Sequence, residues 1–134
     1  MLGLWAAHAQ TYLLVVVAVT TWTFALPIFL MPLRWARWFG WKIPENTDLA
    51  VYFGRCLGAF AVILELLMLR ASLTGEGLLF TFQVILAVSV LLTVVHIWGA
   101  VQKIQPLLET LEIGMYAGLA VLTLLFWPVT VSLG

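Results

Sequence analysis

The sequence predicts an all-α integral membrane protein. The expected fold is a four-helix up-down-up-down bundle with a short interfacial amphipathic helix after the first span, in one domain over residues 1–134. Three observations carry this. The chain is 64% hydrophobic and 9% charged, with a mean hydropathy of +1.13, where a soluble domain carries roughly 25% charged residues. It holds four apolar runs of about 20 residues, the length that crosses a hydrocarbon core about 30 Å thick at about 1.5 Å per residue. Two of the polar connections are too short to join anything except antiparallel neighbours. Backbone groups in lipid must find partners within their own segment, so the runs are read as helices.

The first span is placed at about 11–31. It is rich in Val and Leu and carries a hydroxyl band of Thr20, Thr21 and Thr23. Pro27 is expected to kink this helix or to begin its end, and Pro32 to stop it. Segment 33–42 alternates cations with indoles: Arg34, Trp35, Arg37, Trp38, Trp41 and Lys42. Indoles prefer the headgroup zone and cations meet lipid phosphates there, so this segment reads as an interfacial anchor on membrane lipids. Gly40 and Pro44 break it, and Asn46, Thr47 or Asp48 caps the next helix. The remaining spans are placed at about 49–69, 78–98 and 107–127, the last introduced by Pro106.

The formal net charge is zero, which excludes a basic surface for nucleic acid. Cys56 is the lone cysteine, so no internal disulfide or cysteine metal array is available. The N-terminal residues lack the cationic start and cleavage site of a signal peptide, and the first span is expected to act as its own insertion signal. Arg34, Arg37, Lys42 and Lys103 flank the 33–48 and 99–106 connections, against Arg70 alone on the opposite side. The positive-inside rule puts those connections in the cytoplasm and both termini outside.

A few ionisable groups fall inside the spans, where an isolated charge costs at least ~2.5–3.5 kcal/mol. Comparing depths across antiparallel neighbours groups Arg55, His96, Glu109 and Glu112 in the cytoplasmic half. Arg55 is expected to pair with Glu112, with His96 nearby. Glu109 sits at the rim, where an acid also suits a helix N-terminus. Glu65 in the outer half is expected to meet Gln83 or a neighbouring chain, and a carboxylic acid at that depth suits proton or cation handling. No metal site or cofactor is expected. A tetrapyrrole would have to take His96 as its axial ligand, and haem b would need a second histidine that only the peripheral His8 could supply. Gly54 with Gly58, and Gly114 with Gly118, sit four residues apart, a spacing that lets helices approach closely within the chain or between chains.

The segment YFGRCLGAFAVILELLML, with Arg55-Cys56-Leu57-Gly58 early in a span, resembles the DoxX-like group of small four-span bacterial membrane proteins. The resemblance covers the first half of the chain. It implies a bacterial inner-membrane location and, for some members, partnership with oxidoreductases. Three functions follow as expectations. The leading one is a non-catalytic accessory or scaffolding subunit, contacting other membrane subunits or itself through the glycine faces. The alternative is a small dimeric transporter or lipophilic-ligand-binding bundle that uses Glu65 or the Arg55/Glu112/His96 cluster. The third is a membrane enzyme with His96 and Glu112 as acid and base, for which general acid–base work requires mutual geometry.

Overall fold

A computed structural model of the chain describes residues 2–129. The termini assigned to the outer face, residue 1 and residues 130–134, lie outside the described residues. Regular structure is entirely helical, with no strand among the described residues. The elements are α1 (Ala6–Leu30), the short α2 (Pro32–Trp38), α3 (Asp48–Thr74), α4 (Leu78–Val101) and α5 (Leu107–Leu125). Four of them, α1, α3, α4 and α5, are long and apolar enough to cross a membrane.

The first span is one rod with a changing pitch. It begins as a 3-10 turn at Ala6–His8, is α-helical over Ala9–Thr20, widens to a π turn over Thr21–Ala25 and closes as α-helix at Leu26–Leu30. Pro27 is accommodated inside this rod and buried. Proline has no N–H to give the carbonyl one turn back, here that of Thr23. The Trp35 indole N–H donates to that carbonyl at 3.0 Å. Met31, at φ −141° and ψ 58°, breaks the rod, and Pro32 opens α2. Phe24, Trp35 and Phe39 then stack α2 back onto the end of α1, with Trp35 and Phe39 ring centroids 4.4 Å apart.

Helix α3 runs past the expected end at Leu69 to Thr74, because its last turns still bury apolar surface. Met68, Ala71 and Ser72 are buried there, and Gln10 donates to the Ser72 carbonyl at 3.1 Å. Gly75, in the left-handed region at φ 75°, terminates it. At the start of α3, Asn46 accepts the Asp48 N–H through its side chain at 3.2 Å.

Packing divides the spans into pairs, α3 chiefly on α1 and α4 chiefly on α5. The α1–α3 contact rests on Gly58, and Gly54 seats the start of α2 on α3. A Cβ at Gly58 would land on the Phe29 backbone, and one at Gly54 would come within 2.7 Å of Pro32 Cβ. The pairs join at one end in a core of Ala9, Tyr12, Leu13, Val17, Met68, Ala71, Phe82 and Ile85. There the Tyr12 hydroxyl meets Thr123 Oγ1 at 2.8 Å, and its ring stacks on Phe126 at 4.6 Å. The Gly3 and Trp5 N–H groups donate to the Leu124 and Leu125 carbonyls at the end of α5. At the opposite end, the pairs are bridged by the connection that follows α2.

Candidate functional site

That bridge builds the site, and two tight turns position it. The first ends α4. Lys103 takes a left-handed conformation, φ 56°, its N–H bonds the Ala100 carbonyl and the Ile104 N–H bonds the Gly99 carbonyl, both at 3.1 Å. This is the paired pattern of a Schellman turn. It reverses the chain so that Pro106, the cap residue of α5, receives the Thr110 N–H at 3.2 Å. Gln105 ties the turn to both helices by donating to the His96 carbonyl at 2.9 Å and to Thr110 Oγ1 at 3.1 Å. The first turns of α5 are thereby laid against the last turns of α4. Residues three apart share a helix face, so Glu109 and Glu112 both look at His96.

The second turn ends α2. Gly40, at φ 86°, donates to the Arg37 carbonyl and Trp41 N–H to the Ala36 carbonyl, each at 3.0 Å. The same turn presents Trp41 to α5, where its indole N–H donates to Glu109 Oε1 at 2.7 Å.

At the centre of the site, His96 Nδ1 lies 2.7 Å from the Leu92 carbonyl one turn back. A carbonyl accepts only, so Nδ1 carries a proton and Nε2 is the nitrogen turned toward the acids. Nε2 is 3.1 Å from Glu109 Oε2 and 3.2 Å from Glu112 Oε2. The three side chains are 10%, 9% and 9% exposed, and the Tyr116 ring packs on the imidazole at 5.1 Å. A lone pair on Nε2 facing two carboxylates would be repelled by both. Positive charge must therefore lie between them, as a proton or as a cation. An imidazolium supplies one positive charge against two negative ones. Glu112 Oε1 is buried and makes no hydrogen bond of good geometry among the described residues. A buried carboxylate oxygen is costly without a donor, and the Tyr116 hydroxyl is the group placed beside this carboxyl to supply one.

Three members of the predicted cluster, His96, Glu109 and Glu112, come together. Arg55 does not join them: it is exposed on α3, beside Asp48, Val51, Tyr52, Cys56 and Ala59. The expected Arg55–Glu112 pair does not form. One residue turns a helix by about 100°, and because Gly54 is the residue packed on Pro32 at the start of α2, Arg55 is rotated away from the interior.

Glu65 does not meet Gln83, which is exposed on α4. Glu65 shares a face with Gly54 and Gly58 and so looks at α1. Its Oε1 is 2.6 Å from Thr20 Oγ1 and its Oε2 accepts from Thr21 Oγ1 at 3.0 Å. Thr20 Oγ1 is also 2.7 Å from the Val16 carbonyl. Its single hydroxyl proton cannot serve both oxygens, and a proton on the Glu65 carboxyl completes the set.

Of the anchor segment, Trp35 and Trp41 turn inward to Thr23 and Glu109, while Arg34, Arg37, Trp38 and Lys42 are exposed. The inward pair was hidden by a composition that fits an interfacial belt equally well. Gln105 and Leu92, which orient His96, also escaped the sequence reading. The signal available for Gln105 was a polar residue immediately before a helix-starting proline. Arg70 bonds Glu76 across the α3–α4 turn, with both side chains 66% exposed. Comparisons of the chain with protein families, curated proteins and solved structures return no match.

Proposed function

We propose that the chain is a small integral membrane protein that takes up positive charge, as protons or as a cation, at His96, Glu109 and Glu112. In this reading the spans alternate in direction as an up-down-up-down bundle. The site opens toward the 33–48 and 99–106 connections, which lie in the cytoplasm by their excess of Arg34, Arg37, Lys42 and Lys103. One observation carries the proposal: two buried carboxylates share one imidazole nitrogen, leaving a negative charge that only a proton or cation can cancel. Intramembrane ionisable clusters of this kind mark ion and proton pathways. The test is reconstitution in vesicles holding a pH-sensitive dye under an imposed potential. Uptake is expected in the native chain, unchanged in Glu65→Gln and abolished in the double variant Glu109→Gln/Glu112→Gln. Native chain without uptake, or a double variant that equals it, overturns the proposal.

A second reading, the accessory or scaffolding subunit, is favoured by a separate observation. Gly54 and Gly58 are used within the chain, but Cβ atoms at Gly114 and Gly118 would meet nothing within 4 Å. This pair on α5 offers a small-residue face to a second copy or another membrane subunit. Native mass measurement after mild solubilisation tests it: an assembly that dissociates in Gly114→Ile/Gly118→Ile supports it, and a lone small species in the native chain counts against it.

A further inference from the structure

We propose that His96 Nε2, with one oxygen from each of Glu109 and Glu112, binds one divalent first-row transition-metal ion, of which Zn2+ is the representative. This deepens the reading of the same site as a seat for positive charge and rests on it. The geometry argues first. The three donor atoms lie within 4.8 Å of one another, on buried side chains. Zinc bonds of about 2.0–2.1 Å at a tetrahedral angle place neighbouring ligand atoms about 3.3 Å apart. The Nε2 to Oε2 separations of 3.1 and 3.2 Å already approximate two such edges, and the third, between the two carboxylates, lies within 4.8 Å.

Charge argues next. A neutral imidazole and two carboxylates sum to two negative charges, and a divalent ion brings the total to zero. A monovalent ion would leave one charge uncancelled in a low-dielectric setting. The donor set then selects among divalent ions. Calcium takes six to eight oxygens and magnesium keeps a shell of waters, whereas one imidazole nitrogen with carboxylates suits zinc, manganese, iron or cobalt.

The surroundings fit as well. A metal-binding histidine ordinarily gives its other N–H to a carbonyl or carboxylate, which fixes the tautomer. The Leu92 carbonyl does this for His96 at 2.7 Å, and Trp41 holds the second Glu109 oxygen at 2.7 Å. Glu112 Oε1, buried and not engaged by His96, is within the same carboxyl's reach of the ion, with the Tyr116 hydroxyl beside it as its outer partner. A planar macrocycle has no such match, because Nε2 faces two carboxylates rather than an open slot.

The experiment uses the full chain, purified in detergent without a polyhistidine tag. It is dialysed against Zn2+ and its metal content is measured, and Co2+ is then substituted and the visible ligand-field spectrum recorded. About one Zn2+ per chain is expected, with loss in His96→Ala, at least tenfold weaker binding in Glu112→Gln, and retention in Glu65→Gln. Trp41→Phe, which removes an outer partner, is expected to weaken binding by about 10–100-fold. Zinc held no better by the native chain than by His96→Ala, or held equally after both ligand substitutions, overturns the proposal. Should a variant fail to fold by circular dichroism, the Co2+ spectrum of the native chain decides alone: a spectrum identical to free cobalt overturns it. Vesicle uptake that depends on Glu109 and Glu112 in a chain that binds no Zn2+ refutes the metal and leaves the proton reading standing. Zn2+ binding without uptake refutes the uptake reading and leaves the metal.

Discussion

Glu65 and Glu112 are both carboxylates on spanning helices, and the chain meets them in different ways. Glu65 is met by two hydroxyls, Thr20 and Thr21, which carry no charge of their own. Each of its oxygens has a partner, and with one added proton the set is neutral and closed. Glu112 is met by His96, which also faces Glu109, with the Tyr116 hydroxyl beside it. The three side chains of that second group lie within reach of one another, so each shapes the surroundings of the other two. A lone acid among hydroxyls can serve a structure indefinitely. On the proposed function, two acids around one base form the place where charge is taken up.

The sharpest way to break this contrast is His96→Ala. It leaves two buried carboxylates facing one another, and breaking a buried charge pair costs about 3–5 kcal/mol. A large fall in the midpoint of thermal or denaturant unfolding is expected, and an unchanged midpoint would mean that the acids are not charged against each other. Trp41→Phe comes next. It keeps the apolar ring and removes one hydrogen bond to a carboxylate, a bond worth about 1.5–3 kcal/mol. Its effect on stability should vanish in a Glu109→Gln background if the two act through one contact, as a double-mutant cycle would report.

Substitutions at Glu65 should be milder. Glu65→Ala strips Thr20 and Thr21 of their partner and is expected to cost about 1–2 kcal/mol. Glu65→Gln supplies a donor for Thr20 and an acceptor for Thr21, and is expected to cost under about 0.5 kcal/mol on the same hydrogen-bond scale. A glutamine that proves as damaging as alanine would show that Glu65 works as a charge after all. The smallest effect is expected from Arg55→Ala: with no ion pair among the described residues, stability in detergent should not change measurably.

The four spans were legible because apolar length is a property of sequence alone, and α3, α4 and α5 begin within a residue of where hydropathy put them. The grouping of His96, Glu109 and Glu112 was legible as well, because depth in a membrane follows from position along a helix. Rotation about the helix axis was the harder quantity. Arg55 and Glu65 were matched by depth alone, and both pairings failed for the same reason. Gly54, Gly58, Glu65 and Ser72 lie on one face of α3, which packs on α1 and on the start of α2. Reading that glycine face first would have turned Arg55 outward and aimed Glu65 at the threonine band. Trp41 was beyond reach, because its contact with Glu109 depends on a left-handed glycine in a turn and joins residues far apart in the chain.

The indole of Trp35 donates to a carbonyl that Pro27 cannot serve. The donor lies downstream of the proline, past the break at Met31. The first span thus takes one hydrogen bond of its proline turn from outside itself, so Trp35→Phe is expected to loosen the seat of the short helix and the proline turn together.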